Sequence, residues 1–223
     1  MTLFRAFPDA EKEPAIRGFL HEPQHNSGDG VVLTHGAGSN CQTRLLVELS
    51  NRLAASGWIM LRFDLPFRMA RKYGPPLPGS APRDQEGFKR AVALLRKKVA
   101  GRIFVGGHSY GGRQASMLLA EEPGMAEGLL LLSYPLHPPR KPQELRTKHF
   151  PQLNTAAFFV HGTRDPFGTT QEITEALELI PGKHALLEIE GAGHEILPKQ
   201  GGEKLLDDVA STFKGFMGQV GSA

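Results

Sequence analysis

Cysteine is almost absent from this chain, and so is any long run of apolar residues. Cys41 is the only cysteine among the 223 residues, which excludes an intrachain disulfide and permits a reducing compartment. A thiol at the start of a predicted helix would be somewhat reactive, but a small buried residue is the simpler interpretation of Cys41. The first residues include an aspartate and a proline and indicate neither a signal peptide nor a membrane anchor. We therefore expect a cytoplasmic protein.

A large excess of one charge is also missing. The formal net charge is +3, and the basic clusters at 68–72, 96–98 and 140–141 are far apart and contain no interleaved aromatic residues. A solvated surface explains such clusters more simply than nucleic-acid binding does. We expect neither a nucleic-acid partner nor a membrane partner, and the sequence leaves the oligomeric state open.

Short apolar runs alternate with helical patterns along almost the whole chain. This alternation is typical of right-handed βαβ units, which build a mostly parallel sheet covered by helices on both faces. Residues 15–20 are expected to add an antiparallel edge strand, and the length suits a single domain over residues 1–223. The predicted strands are 31–34, 58–63, 102–105, 128–133, 156–160 and 185–189, and the predicted helices lie near 39–57, 84–101, 110–120, 170–180 and 205–216.

Two predicted helices begin with capping signals, and two proline-rich segments interrupt the pattern. Ser39 with Gln42 three residues later has the spacing of a capping box, and Asp84 is a candidate cap for the next helix. Residues 64–83 and 134–151 are expected to be loops at the carboxyl edge of the sheet, where α/β proteins bind ligands. Neither segment is long enough for a separate lid domain.

The most informative motif is Gly-His-Ser-Tyr-Gly at 107–111, because the strand at 102–105 should run directly into a helix there. A serine in such a turn has a strained backbone that holds its hydroxyl above the sheet. Glycines are needed two residues to either side because side chains there would collide with the neighbouring strand and helix. Ser109 is therefore the predicted nucleophile, and the amide of Tyr110 is a predicted oxyanion donor.

A serine nucleophile needs a base within hydrogen-bond reach and a third group that orients the base. Asp165 and His194 each follow a predicted strand and complete the chain order Ser, Asp, His. Taken singly, they would be an ordinary turn aspartate and a surface histidine. Asp64 and Glu195 are weaker candidates for the acid, because neither combines a strand end with this order.

The loop after the first parallel strand is predicted to supply the second oxyanion donor. It is rich in small residues, so its backbone can approach the nucleophile closely, and we assign the amide of Ala37 to this role, with Gly36 or Gly38 as alternatives. The sequence His-Glu-Pro-Gln-His at 21–25 matches a two-histidine zinc pattern. That pattern requires a helix, which Pro23 and the following turn exclude. No metal and no cofactor are predicted.

Several residues near the expected site are candidates for substrate contacts. A small ester or lactone, with a carboxylate held by one arginine, would suit them. Arginines that merely cover the surface explain the same residues equally well. A long-chain lipid is not expected, because no segment is large enough to form an apolar lid. The candidates are Arg62, Arg68, Arg71 and Arg113, with Phe67, Tyr134 and Phe167 as apolar walls.

These motifs make the chain resemble the α/β-hydrolase superfamily, and within it the small lid-less proteins similar to dienelactone hydrolase. The segments 33–38, 62–67 and 133–137 are similar to a narrower group that includes the hydrolase-like part of a chromatin-complex subunit and a testis-expressed protein. The resemblance implies an α/β-hydrolase fold with nucleophile Ser109, acid Asp165 and base His194. Dienelactone hydrolases proper have a cysteine in place of Ser109, and many esterases have a Gly-rich loop in place of 64–68, so their substrates do not carry over.

We interpret the chain as a serine hydrolase that acts on a small ester, thioester or lactone through an acyl-enzyme. A non-catalytic interaction or scaffold protein on the same fold is the alternative, since fold does not determine function. A transferase or a haloperoxidase-like activity would use the same three residues.

Overall fold

The computed structural model describes residues 3–9 and 13–220 of the chain. Eight strands in this part of the chain form one sheet. The strands are β1 (Leu3–Asp9), β2 (Ile16–Glu22), β3 (Gly30–Thr34), β4 (Ile59–Asp64), β5 (Ile103–His108), β6 (Gly128–Leu132), β7 (Ala157–Gly162) and β8 (His184–Ile189).

Helices follow most of the parallel strands, as the alternation in the sequence predicts. The predicted strands and long helices agree with the observed ones to within a few residues at most ends. The helices are α1 (Arg44–Ala55), α2 (Pro66–Ala70), α3 (Ala81–Arg96), α4 (Tyr110–Glu121), α5 (Thr170–Leu177) and α6 (Glu203–Gly218).

The strand order across the sheet is β1-β2-β4-β3-β5-β6-β7-β8. All neighbours from β4 to β8 are parallel, while β2 runs antiparallel to β4 and β1 antiparallel to β2. The mostly parallel sheet with helices on both faces confirms the predicted fold class. The predicted antiparallel strand at 15–20 is present, but β1 pairs with its outer side, so β2 is not the edge.

The central strands have apolar side chains on both faces, which is why their sequences read as continuous apolar runs. On one face, α1 and α6 bury side chains such as Leu49 and Phe213 against Phe104 of β5. On the other face, α3, α4 and α5 cover Val105 and Leu131. Two apolar layers therefore fix the sheet between helices, with the carboxyl ends of the parallel strands at one edge.

Both predicted capping signals are wrong. Helix α1 begins after Thr43, and the Ser39 hydroxyl instead donates to the carbonyl of Gly36. Helix α3 begins after Ser80, so that Asp84 lies inside its first turn and is fully buried. The Ser39 side chain bonds within its own loop, and Asp84 bonds residues of other segments, so neither caps its helix.

The proline-rich segments follow β4 and β6 at the carboxyl edge of the sheet. The first is less irregular than predicted, because Pro66 begins the short helix α2. The segment 21–25 is not helical. His21 is the second-last residue of β2, and His25 lies in the loop that follows. Among the described helices, none combines the length and apolar character needed to cross a membrane.

Candidate active site

Ser109 lies between β5 and α4, in the turn that the sequence predicts. Its backbone has φ 51° and ψ −115°, a left-handed conformation that non-glycine residues rarely adopt. The amide of Ser109 donates to the carbonyl of Leu132 at 2.8 Å, and its carbonyl accepts from the amide of Arg113 at 3.0 Å. The turn is thus fixed to β6 on one side and to helix α4 on the other.

The glycines around Ser109 occupy positions with no room for a side chain. A Cβ atom on Gly107 would lie 2.5 Å from the carbonyl oxygen of Thr34, and one on Gly111 would lie 2.7 Å from that of His35. A Cβ atom on Gly106 would overlap the carbonyl oxygen of Leu130. The motif glycines therefore allow β5 and α4 to approach the neighbouring strands closely.

The structure brings Ser109, His194 and Asp165 into one chain of hydrogen bonds. Nε2 of His194 lies 2.8 Å from Oγ of Ser109, and Nδ1 of His194 lies 2.8 Å from Oδ2 of Asp165. The Asp165 side chain is fully buried, while 19% of the His194 side chain is exposed. A base that is open on one side and held by a buried carboxylate on the other is suited to move a proton from the serine hydroxyl.

Residues around Asp165 fix its carboxylate in place. Oδ1 of Asp165 accepts from the amide of Phe167 at 2.9 Å, and the ring of Phe167 packs 4.2 Å from the His194 ring. Nε2 of His161 lies 3.7 Å from Oδ2 of Asp165 and donates to the carbonyl of Gly168 at 2.8 Å. Burial lowers the pKa of His161 and favours its neutral form.

The two other candidates for the acid lie elsewhere. Asp64 accepts from the amide of Cys41 at 2.7 Å and from the Arg17 guanidinium at 2.8 Å. Glu195 is exposed, and the carboxylate that bonds Nδ1 of His194 belongs to Asp165. Cys41 itself is buried, and burial raises the pKa of its thiol, which suits the interpretation of a small core residue.

The loop after β3 passes directly against Ser109. A Cβ atom on Gly36 would lie 3.4 Å from Cβ of Ser109. The Gly36 carbonyl accepts from Nδ1 of His35 at 2.8 Å and from the Ser39 amide at 3.2 Å. The amide of Ala37 belongs to the same trans peptide unit and points to the opposite side of it.

His35 orients that peptide as a neutral imidazole. The Leu65 amide donates to Nε2 of His35 at 3.1 Å, so Nε2 carries no proton and Nδ1 is the donor to the Gly36 carbonyl. Burial lowers the pKa of His35 to about 4, which keeps the ring neutral. A protonated ring would place an N–H at Nε2 against the Leu65 amide.

Two further side chains tie this loop and α4 to the segment after β4. The buried Arg68 guanidinium donates to the carbonyls of Ser39 at 2.7 Å, Ala37 at 2.9 Å and Gly74 at 2.9 Å. Asp84 accepts from the Tyr110 hydroxyl at 2.8 Å, while its other oxygen accepts from the Phe67 amide at 2.9 Å. Neither connection is visible in a local sequence pattern, because each joins distant segments.

Several predicted substrate contacts are not at the site. Arg62 is fully buried and donates to His21 and to the Cys41 carbonyl, and Tyr134 is a core residue whose hydroxyl donates to the Arg146 carbonyl. Phe67 is also buried, and Arg71 donates to a neighbouring loop carbonyl. These side chains hold the loops of the carboxyl edge rather than face a ligand.

Arg113 differs from the other three arginines. It lies one helical turn after Ser109, is half-buried, and has a buried Nε atom without a hydrogen-bond partner among the described residues. Of the predicted apolar walls, Phe167 contacts the ring of His194. The Arg113 side chain also lies close to the hydroxyl of the buried Tyr134, whereas the ring of Phe167 packs on the candidate triad itself.

A sheet of this order, with a strained serine between strand and helix and an acid and a histidine after later strands, is the arrangement of an α/β-hydrolase. The chain belongs to the alpha/beta hydrolase domain family, whose model matches residues 27–218. The family and the fold support a hydrolase.

Solved structures with the same fold cover almost the whole chain. Dienelactone hydrolase from Anabaena variabilis is 19% identical, with 98% of each chain covered and a TM-score of 0.77. Est1E from Butyrivibrio proteoclasticus, also solved with ferulic acid bound, is 17% identical over 96% of this chain and 99% of its own, with a TM-score of 0.71. An α/β serine hydrolase without a lid from Xanthomonas campestris is 12% identical over 99% and 96%, with a TM-score of 0.70. At these identities the likeness concerns the fold.

We expect the free energy of unfolding to fall as the pH decreases from about 6.5 to about 4. Burial lowers the pKa of His21, His35 and His149 to about 4, whereas an unfolded histidine titrates near 6.5. The unfolded chain therefore binds more protons across this window, and stability present above it is lost as the pH falls. His35→Gln should flatten the decline, and so should His149→Gln. Urea unfolding at a series of pH values measures this, and curves parallel to the wild type would contradict it.

Proposed function

We propose that the protein is a serine hydrolase in which Ser109 is the nucleophile, His194 the general base and Asp165 the acid that orients it. The observation that carries the proposal is the unbroken chain of hydrogen bonds from Asp165 through His194 to Oγ of Ser109, each 2.8 Å long. The strained backbone of Ser109 is a second support, because strain of this kind is concentrated at functional sites.

In the proposed reaction, His194 removes the proton of Ser109 as Oγ attacks the substrate carbonyl carbon. The imidazolium then gives that proton to the leaving group, and an acyl-enzyme remains on Ser109. A water molecule, activated by the same imidazole, attacks the acyl carbon and releases the acid product. Asp165 stays ionised and stabilises the imidazolium form of His194. The mechanism requires no metal and no cofactor.

We assign oxyanion stabilisation to the amides of Ala37 and Tyr110. The amide of Tyr110 is in the first turn of α4, where backbone N–H groups have no intrahelical partner. The peptide that includes the Ala37 amide is oriented by His35 and lies beside Ser109. Gly36 and Gly38 remain the alternatives in this loop. Removal of one such donor commonly raises the barrier by about 3–4 kcal/mol.

The first test is covalent labelling by a fluorophosphonate, which reacts with activated serines. We expect labelling of the wild type and none of Ser109→Ala. Asp165→Asn should slow labelling by about 10³- to 10⁴-fold, because the imidazole loses its orienting carboxylate. Mass spectrometry of the labelled peptide identifies the residue, and gel fluorescence against time gives the rate.

Ser116→Ala is the matched control, since Ser116 lies two turns further along α4 and bonds His149 instead of His194. This variant should be labelled at the wild-type rate. An unlabelled wild type, beside a labelled esterase in the same experiment, would contradict the proposal and favour a binding protein on this fold.

The substrate class that we propose is a small ester, thioester or lactone. The site lies at the carboxyl edge of the sheet under two short proline-rich segments, of which the first includes the five-residue helix α2. Ferulic acid in Est1E is a small acid bound to a protein of the same fold, which supports an acyl group of modest size. The motifs at 33–38, 62–67 and 133–137 support placement in the narrower group named above.

We expect hydrolysis of p-nitrophenyl acetate and butyrate to exceed hydrolysis of the dodecanoate. A twelve-carbon chain needs an apolar cover that segments 64–83 and 134–151 are too short to supply. Initial rates of p-nitrophenolate release below the solubility limit of each ester measure the preference. A higher kcat/KM for the dodecanoate would show that the size argument is wrong.

A carboxylate on the acyl group is expected to bind Arg113, whose Nε has no partner among the described residues. Arg113→Met keeps an apolar stem and removes the charge, so kcat/KM for mono-p-nitrophenyl glutarate should fall about tenfold, as expected for loss of one charge-assisted hydrogen bond. The neutral butyrate ester is the control and should change little. Equal changes for both esters would exclude Arg113 from carboxylate recognition.

The proposal includes a small-molecule acyl compound as the partner and leaves the oligomeric state open. With Cys41 as the only cysteine, we expect the protein to work in a reducing compartment such as the cytoplasm.

A further inference from the structure

The main-chain carbonyl of His194 accepts two side-chain hydrogen bonds. Nε2 of His108 lies 3.0 Å from this oxygen, and Oγ of Ser133 lies 2.8 Å from it. Neither His108 nor Ser133 was assigned a role from the sequence. Both bind the catalytic base through its backbone and leave its ring free to bond Ser109 and Asp165.

The two donors come from the ends of adjacent strands. His108 is the last residue of β5, directly before the nucleophile, and Ser133 directly follows β6. His108 is 6% exposed and Ser133 is fully buried. The Ser133 amide also continues the sheet by donating to the Val160 carbonyl at 2.8 Å. Both side chains therefore project from buried residues at the strand ends, and the Ser133 backbone is bonded to the sheet.

Ser133 has φ 49°, which is a left-handed conformation. A non-glycine residue in this conformation is strained, and such strain persists only where the surroundings impose it. In this conformation the Ser133 hydroxyl donates to the His194 carbonyl. A glycine at position 133 would remove the backbone strain, but it would also remove the hydrogen-bond donor.

The protonation of His108 follows from its partner. A carbonyl oxygen only accepts hydrogen bonds, so Nε2 of His108 carries the proton. Its Nδ1 faces Gly36, where a Cβ atom would lie only 3.1 Å away. The His108 and His194 rings lie 5.1 Å apart. A neutral donor at this position avoids a second positive charge next to the imidazolium that His194 forms.

The loop that contains His194 needs external support. It joins β8 to α6, has no regular secondary structure and includes Gly191 and Gly193. The Ala192 carbonyl accepts from the Arg164 amide at 2.9 Å, which fixes the loop two residues before the base. The bonds from His108 and Ser133 fix the base residue itself.

We propose that His108 and Ser133 are positioning residues that hold the catalytic base by its main-chain carbonyl. We call the two hydrogen bonds the carbonyl clamp. The inference rests on the proposed function, because it assigns His194 as the base. The clamp keeps Nε2 of His194 at hydrogen-bond distance from Ser109 while the ring exchanges its proton. A misplacement of about 1 Å at such a site lowers rates by about 100-fold.

The test compares fluorophosphonate labelling rates in four proteins: the wild type, His108→Leu, Ser133→Gly and the double variant. Either donor alone still holds the carbonyl, so each single variant should label only about threefold more slowly. The double variant should lose about 100-fold, which exceeds the product of the single effects because the two donors share one acceptor. Ser133→Gly relieves backbone strain, so loss of folding is not expected from that change.

A rescue separates hydrogen bonding from packing. The amide of glutamine can donate from nearly the same place as Nε2 of histidine, so His108→Gln in the Ser133→Gly background should recover most of the lost rate. His184→Leu is the matched histidine control, because His184 lies at the opposite end of the sheet and bonds the Gly182 carbonyl. It should label at the wild-type rate.

A spectroscopic readout distinguishes positioning from general stability. The Nδ1 proton between His194 and Asp165 should give a far-downfield proton resonance in the wild type and in both single variants. It should disappear in the double variant while the circular dichroism and the unfolding midpoint stay near those of the wild type. A merely structural role would change the midpoint and leave the resonance in place.

The labelling results distinguish failure of the proposed function from failure of the carbonyl clamp. A wild type that is not labelled overturns the proposed function and the clamp with it. A labelled wild type with a folded double variant that labels within threefold overturns the clamp alone. Equal loss with Gln and Leu at position 108 overturns the hydrogen-bond assignment, whereas rescue by Gln supports it.

Discussion

The close approach of β5 to its neighbours is the constraint on which the rest of the site depends. Gly106 and Gly107 leave room for the carbonyl oxygens of Leu130 and Thr34 where any side chain would collide with them. Because α4 can then begin directly over β3, its first turn lies beside the loop that includes Gly36. The left-handed turn at Ser109 makes this connection in a single residue between β5 and α4. The same close packing of β5 therefore also places the Ser109 hydroxyl at the end of the strand, beside the loop that includes Gly36.

Three buried histidines support the site in the same chemical way. His35 donates to the Gly36 carbonyl, His108 to the His194 carbonyl and His161 to the Gly168 carbonyl. Burial lowers the pKa of all three, so each is a donor without a charge. The three carbonyls belong to the loops of the proposed oxyanion donor, the proposed base and the proposed acid. A lysine or arginine at position 108 or 161 would add positive charge near His194 and oppose its protonation.

The strands, the helices and the order of Ser109, Asp165 and His194 were predictable because they depend on local patterns. An apolar run of five or six residues indicates a buried strand, and chain order then determines which residues end at the carboxyl edge. Asp84 was misassigned because its partners lie in other segments. Ser39 was misassigned because its hydroxyl bonds Gly36 within the loop and the helix begins later, after Thr43. Nothing in the local pattern distinguishes a helix cap from these other contacts. Strand β1 was missed for a similar reason, since its pairing with β2 is not visible in its own sequence.

The buried guanidinium of Arg68 joins the turn at 71–74 to the loop at 36–39. An arginine stays charged at every pH at which a protein is folded, so titration does not release this connection. The segment after β4 and the loop beside Ser109 are consequently connected through one side chain. Loop exchange aimed at a wider entrance would alter turnover together with selectivity, unless the graft keeps the two carbonyls, of Arg71 and Gly74, that accept from Arg68. The segment is exposed and rich in proline, which suggests that its residues can be substituted freely. Its bonds to Arg68 mean instead that some substitutions there would also affect the loop beside Ser109.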